Sequence, residues 1–400
     1  MRRTTGVNVG LGLALAAVLT AGCSGGDGDG GGKQSPGPTG LGSPGKSPGS
    51  GDDGDDASAK AAPAKGSVKV VKTVATGLKS PWGLAPLPGG DLLVASRDTG
   101  QIVHVDGKSG KKTEAGTVPG VSAGGEGGLL GLALAPDNER MLYAYLTTES
   151  DNRIVRMLYD PGKAPGSRLG APGTVLKGIP KGTVHNGGRI AFGPDKMLYA
   201  GTGESGEGGL SQDKDSLGGK ILRMTPEGDP PGAGNPEADS VVYSYGHRNV
   251  QGLDWDADKR LWASEFGQDT WDELNLIEPG KNYGWPDAEG KGGEAGEKGF
   301  TAPVTQWKTA EASPSGLAVA KGSVWMAGLR GERLWRIPLK GAEQAAEPQA
   351  FLEGKYGRLR TVVADHGTGG GDGLWLVTSE TDGRGSPEKG DDRVLRLKVR

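Results

Sequence analysis

Among 400 residues there is one cysteine, so no intramolecular disulfide can form and the fold must rest on buried apolar surface. Histidine is nearly as scarce, with 4 copies, and each one is therefore worth placing. Charge of one sign is also missing: 46 Lys and Arg against 49 Asp and Glu leave a formal net charge of −3. That balance argues against a nucleic-acid partner and against a polybasic membrane footprint. No apolar run comfortably reaches the roughly 20 residues that span a bilayer. The longest candidate, from Val7 to Ala21, falls short. No segment of the body carries the sustained 3.6-residue apolar stripe of an amphipathic helix.

What is plentiful is punctuation. The chain has 76 Gly and 26 Pro, which suits many short strands joined by turns. At the start, Met1-Arg2-Arg3, the largely apolar stretch and then Gly22-Cys23-Ser24 read as a charged region, an apolar region and a small-residue cleavage site, that is, a signal over residues 1–22. Leu19-Thr20-Ala21-Gly22-Cys23 resembles the lipobox of bacterial lipoproteins. That resemblance implies a lipidated Cys23 as first residue of an exported, membrane-tethered protein. The alternative is an ordinary secretory signal that happens to contain a cysteine. Residues 23–65 are mostly Gly, Ser, Pro, Asp, Lys and Ala, too poor in large apolar side chains to offset chain ordering, and predict a flexible spacer.

From residue 66 to 400 one phrase recurs: an apolar strand, a Pro/Asp/Gly turn, a Leu-Tyr-Ala-like strand, and an Arg/Ile-rich strand. The first copy has Trp82-Gly83-Leu84-Ala85, Leu92-Leu93-Val94-Ala95 and Gln101-Ile102-Val103-His104-Val105. The second pairs Gly131-Leu132-Ala133-Leu134 with Leu142-Tyr143-Ala144-Tyr145 and Arg153-Ile154-Val155-Arg156-Met157. Four more copies begin near Arg189, Gln251, Ser315 and Leu359. Alternation along these strands has a period of two, and each copy has room for four strands. The prediction is an all-β protein, a six-bladed β-propeller. A pair of β-sandwiches would not repeat one phrase so regularly.

Propellers place ligand sites where loops converge at the central channel, so the loops between strands are the expected carriers of chemistry. Gly124-Gly125-Glu126-Gly127-Gly128 opens the second repeat, with one carboxylate among glycines that permit close backbone approach to a ligand. His185-Asn186-Gly187-Gly188-Arg189 opens the third, and Glu204 follows its second strand. A histidine in such a turn can act as a general base with Glu204 orienting its ring; the plain alternative is a satisfied structural histidine. Tyr245-Gly246-His247-Arg248-Asn249 opens the fourth repeat. After its second strand, Gly267 and Gln268 offer carbonyls beside Asp269, Asp272 and Glu273, hard oxygen donors suited to calcium or simply a solvated acidic loop. Arg330, Arg358 and Arg360 are candidates for a clamp on a multiply anionic ligand, or for exposed ion pairs.

In order along the chain, Gly-Glu-Gly-Gly-Leu-Leu-Gly from Gly125, His-Asn-Gly-Gly-Arg from His185, Gly-His-Arg-Asn from Gly246, Asp272-Glu273-Leu274-Asn275 and Asn282-Tyr283-Gly284-Trp285-Pro286 resemble the soluble PQQ-dependent sugar dehydrogenases, the glucose/sorbosone or aldose sugar dehydrogenase group of six-bladed propellers. The resemblance runs from about Ser80 to Leu397. It implies that His185 is the catalytic base supported by Glu204, and that Arg248 and Asn249 sit beside the quinone. It further implies that the carbonyls of Gly267 and Gln268, with Glu273 nearby, hold calcium, and that Arg330, Arg358 and Arg360 grip the three carboxylates of PQQ, with Glu126 near the cofactor. An aldose would be oxidised at C1 to the lactone, and electrons would pass to an external acceptor. Three positions depart from the family's pattern: Glu204 stands for an aspartate, Glu126 for a glutamine and Arg330 for a lysine. Two other functions compete. A non-catalytic propeller binding a glycan or envelope partner has no need of His185 together with four arginines. A propeller lactonase wants several carboxylate or histidine ligands around the channel, and the sequence offers one acidic cluster in a single loop.

Overall fold

A computed structural model of the chain describes residues 60–292, 298–365 and 373–400; Cys23 and the signal and most of the spacer lie outside the described residues. The described body is built from six antiparallel sheets. Blade 1 contains β2 (Pro81–Pro86), β3 (Leu92–Ser96), β4 (Gln101–Val105) and β5 (Lys112–Thr117). Blade 2 contains β6 (Leu129–Ala135), β7 (Asn138–Thr147), β8 (Asn152–Leu158) and β9 (Gly173–Ile179). Blade 3 contains β10 (Arg189–Phe192), β11 (Leu198–Gly201), β12 (Lys220–Met224) and β13 (Val242–Tyr245). Blade 4 contains β14 (Val250–Trp255), β15 (Leu261–Glu265), β16 (Trp271–Ile277) and β17 (Thr305–Lys308). Blade 5 has β18 (Pro314–Ala320), β19 (Ser323–Gly328) and β20 (Leu334–Lys340), edged by the short β21 (Glu343–Gln344) and β22 (Gln349–Phe351). The six-bladed β-propeller read from the repeats is the fold observed.

Blade 6 differs in where its strands come from. β23 (Leu359–Asp365), β24 (Gly373–Thr378) and β25 (Val394–Val399) are consecutive, but the outer strand is β1 (Val68–Ala75), brought in from the start of the body. β1 runs antiparallel to β25 from Val68 opposite Val399 to Ala75 opposite Val394. The ring is thus closed by hydrogen bonds between the two ends of the body. Chain ahead of β1 is engaged as well: the Ala62 N–H donates to the Leu339 carbonyl at 2.9 Å, and buried Arg336 donates to the Pro63 carbonyl at 2.8 Å.

Each sheet has two apolar faces, and both are buried against neighbouring blades, so the core is distributed. Among the described residues, one apolar cluster fills each of the six blade interfaces. One large residue of each second strand, Leu93, Tyr143, Tyr199, Trp262, Trp325 and Trp375, contributes to these interfaces with at most 5% of its surface exposed. Burying an aromatic side chain of that size contributes about 3–5 kcal/mol against truncation to alanine. Nearer the channel the inner strands come close enough to require glycine: a Cβ on Gly131 of β6 would stand 2.2 Å from the Gly188 carbonyl oxygen at the start of blade 3. Turns at one end of the inner strands are short. At the other end, the loops entering each first strand and leaving each second strand converge, and the functional residues lie there.

Candidate active site

His185 sits immediately before β10 with φ +53, a left-handed conformation unusual for a residue with a side chain. Two carboxylates hold it there. Its backbone N–H donates to Oε2 of Glu126 at 2.8 Å, and its ring Nδ1 lies 2.7 Å from Oε1 of Glu204. Glu204, just past β11, is 2% exposed, and its other oxygen accepts the Gly206 N–H, so it is acceptor-only on both sides. With Glu204 accepting at Nδ1, the tautomer selected is the one whose Nε2 carries the lone pair. The ring keeps 16% of its surface and borders a cleft of about 480 Å³ at the channel mouth.

The cleft is cationic. Arg97 from blade 1, Arg248 from blade 4, Arg330 from blade 5 and Arg358, Arg360 and Arg384 from blade 6 all line it, against Glu126 and Asp382. Arg358 and Arg360 flank the entrance to β23 and are drawn to one carboxylate: Asp382 Oδ2 accepts from Arg358 Nη2 at 3.0 Å and Arg360 Nη2 at 2.9 Å. Burial alone would raise the Asp382 carboxyl, but Arg360 and Arg358 hold it below the usual carboxylate range. Burial pushes Arg360 down to about 10, and it stays charged at neutral pH. Arg330 is exposed at the rim. Arg248 is the most informative of the set. Burial lowers its pKa, its Nη1 donates to the Gly267 carbonyl at 2.8 Å, and its buried Nε has no partner. An unpaired buried guanidinium N–H costs about 1–3 kcal/mol unless a ligand supplies an acceptor. Asn249 lines the same wall, its Oδ1 accepting the Gly187 N–H at 2.9 Å.

Glu126 does more than stand near a ligand. One oxygen holds the His185 backbone and the other pairs with Arg384 Nη2 at 2.8 Å, linking blade 2 to blade 6 across the mouth. The neighbouring Gly125 borders the cleft, but its φ of +56 serves chain packing, since a Cβ there would lie 2.0 Å from the Thr183 carbonyl oxygen. The glycine loop therefore answers to the adjoining loop.

The acidic loop after β15 differs from its expected form. Asp272 accepts the N–H groups of Gly267 at 3.0 Å and Ser313 at 2.6 Å. Glu273 is buried and accepts from Gly290 N–H at 2.6 Å and Asn275 Nδ2 at 3.0 Å; burial and nearby Glu265 push its carboxyl well above the usual range. Asp269 is exposed beside Gln268. These side chains do not converge, and among the described residues no group of three or more His, Cys, Asp or Glu is placed to hold a metal ion. Each Glu273 oxygen already accepts one hydrogen bond from the fold, and Glu273 borders one small cavity together with Gly267 and Glu289. The Gly267 and Gln268 carbonyls remain as hard oxygen donors, and a cation on Gly267 would share that oxygen with Arg248.

Arg97, Arg384 and Asp382 did not emerge from the sequence. Arg97 Nη2 donates to the Asp382 carbonyl at 3.0 Å, and Asp382 Oδ1 accepts the Arg384 N–H at 2.9 Å. The signal was available in the repeats. Arg97 follows the second strand of repeat 1 as Phe266 follows that of repeat 4 and Leu329-Arg330 that of repeat 5, and aligning those exits points to all three blades' contributions.

Together these features define a six-bladed propeller with an arginine-lined cleft at one channel mouth and a carboxylate-oriented histidine in its wall. Comparison with known proteins then gives the family. A glucose/sorbosone dehydrogenase family model matches residues 78–387, and the chain belongs to that family. A solved PQQ-bound aldose sugar dehydrogenase from Streptomyces coelicolor is 72% identical with a TM-score of 0.82, covering 85% of this chain and 100% of that one. Aldose sugar dehydrogenase YliI of Escherichia coli is 30% identical over 359 residues, which is 81% of this chain and 92% of the relative. Quinoprotein glucose dehydrogenase B of Acinetobacter calcoaceticus is 31% identical over 259 residues. The chain spans 54% of that last protein's length and 59% of another curated relative's, an uncharacterised Synechocystis protein.

Proposed function

We propose that the protein is a PQQ-dependent aldose dehydrogenase that oxidises its sugar at C1 to the lactone. The observation that carries this is His185, with Nδ1 committed to buried Glu204 and Nε2 facing a cleft of six arginines. The cleft's chemistry fits a multiply carboxylated cofactor: Arg358, Arg360 and Arg330 would take its carboxylates, and the unpaired Nε of Arg248 would gain an acceptor. Bound PQQ would supply the two-electron acceptor for hydride from C1, and calcium on the carbonyls of Gly267 and Gln268 would supply electrophilic assistance.

The chain's own part is proton transfer and orientation. Nε2 of His185 takes the C1 hydroxyl proton, which strengthens the donor at the carbon that loses hydride. Glu204 fixes the tautomer beforehand and stabilises the imidazolium that forms. Glu126 keeps the residue in its strained backbone conformation and the ring aimed at the cleft. The reduced protein would then pass its electrons to an external acceptor. On the sequence pattern alone, the export signal and lipidated Cys23 would tether it to the outer side of a cell membrane, with residues 23–65 as spacer.

Reconstituting the purified protein with PQQ, with and without calcium, and following dye reduction over a panel of aldoses tests the reading. Saturable turnover that needs PQQ is expected, with calcium raising it. Failure to bind PQQ would overturn the enzyme and leave the glycan-binding alternative.

A further inference from the structure

The opposite face of the ring carries a second cavity, far along the same strands from the cleft. Where His185 precedes β10, this cavity lies past its other end, between the β10–β11 turn, the β14–β15 turn and the end of β16, with a volume of about 330 Å³. That size is at the lower end of small-molecule sites, roughly 300–1,000 Å³.

Three aromatic rings form its wall. Tyr199 meets Tyr243 edge to face at 5.5 Å and Trp255 at 5.0 Å, so the three are locked by mutual contact. Polar pairs fix the surroundings: Asp195 accepts from the Tyr199 hydroxyl at 3.0 Å and Arg223 Nε at 2.9 Å, while Arg260 is held by Asp256 at 2.7 Å and Asp258 at 2.6 Å. Other groups are left unspent. Among the described residues the Tyr243 hydroxyl, the Trp255 indole N–H, the Glu278 carboxylate and the Lys259 ammonium make no hydrogen bond or ion pair, yet all four residues border the cavity.

Charge then selects the ligand class. Arg223 is neutralised by Asp195, Arg260 is outnumbered by Asp256 and Asp258, and Lys259 is matched in number by Glu278, so no cationic group is left over to hold an anion and the surroundings carry at most one surplus negative charge. A partly exposed aromatic wall with separate donors and acceptors at its rim suits a neutral molecule that is flat, apolar on one face and hydroxylated at its edges. We infer that this cavity is a non-catalytic saccharide-binding site for a neutral pyranose unit, on the face of the propeller opposite the redox cleft. It stands independently of the dehydrogenase reading, because no cleft residue takes part in it.

Fluorine NMR on the full chain labelled with 5-fluorotryptophan tests this, with Trp255 assigned through Trp255→Phe and Trp82 reporting on the cleft separately. Maltotriose or cellotriose should shift the Trp255 resonance at millimolar concentration. Trp255→Ala should weaken that binding about tenfold, matching loss of one ring contact, with aldose oxidation unchanged. Tyr243→Phe keeps the ring and removes only the hydroxyl, and should weaken binding about threefold; it serves even where the tryptophan variant does not fold. A Trp255 resonance unmoved by both trisaccharides, or moved by indole alone, overturns the inference, as does unaltered affinity in Tyr243→Phe.

Discussion

Blades 3 and 4 each set a histidine against a glutamate, and the two pairs are almost superimposable in their bonds. Nδ1 of His185 lies 2.7 Å from Glu204, and Nδ1 of His247 lies 2.8 Å from Glu265. They part at the other nitrogen. Nε2 of His247 meets the Ser244 hydroxyl at 2.8 Å, its ring is fully buried, and it stacks on Tyr283 at 4.6 Å. Ser244, His247 and Glu265 even have the connectivity of a hydrolytic triad, but all three are sealed in the fold. Glu265 also accepts the Arg248 N–H, so the sealed pair braces a cleft residue from behind. A carboxylate behind a histidine thus marks orientation; access of the remaining nitrogen to a ligand is what separates a base from a strut.

The comparison can be broken by one variant in each pair. Glu204→Gln should cut turnover by about 10²-fold or more by removing the charge that stabilises a protonated ring, measured by steady-state dye reduction; a change within threefold would erase the difference between the pairs. His247→Ala should instead cost about 2–3 kcal/mol of stability, since Glu265 and Ser244 lose buried partners, read by chemical denaturation, with turnover per folded molecule nearly kept.

A pH effect sharpens the contrast at the loop that carries Glu204. Buried Lys220 donates to the carbonyls of Leu210 at 2.7 Å, Ser211 at 3.1 Å and Gly218 at 2.7 Å, and burial pushes its pKa down to about 8 from 10.5. The unfolded chain therefore holds this proton to higher pH than the folded one. The stability contribution of Lys220 should rise between about pH 8 and 10.5, and Lys220→Met should lose that rise relative to wild type in denaturation curves. The smallest effect belongs to Arg384→Ala. Its side chain is 60% exposed, so removing its pair with Glu126 should raise the cofactor Kd only about two- to threefold in a titration.

Much of this was legible in the residues, and the gaps have physical causes. The first three strands of each blade were readable because they are buried on both faces and keep their apolar alternation. β5 and β9 are largely exposed and polar, so they carry no such signal. Closure by β1 joins residues more than 300 positions apart, which no local pattern reveals. In the site, His185, Arg248, Arg358 and Arg360 announced themselves through short phrases. Arg97 was reachable only by aligning the exits of the second strands, and Asp382 was not legible, because its contacts come from the meeting of blades 1 and 6. The hydrogen bond from the Gly290 N–H to Glu273 was not legible either, because an acidic residue after a glycine turn reads the same whatever its oxygens face.

The most direct measurement is the rate at which an aldose reduces bound PQQ in a single turnover, by stopped flow, in wild type and His185→Ala with cofactor affinity determined alongside. If the open histidine is the base, the variant binds PQQ about as tightly and is reduced at least about 10²-fold more slowly. Reduction within threefold of wild type at equal cofactor occupancy would contradict the account.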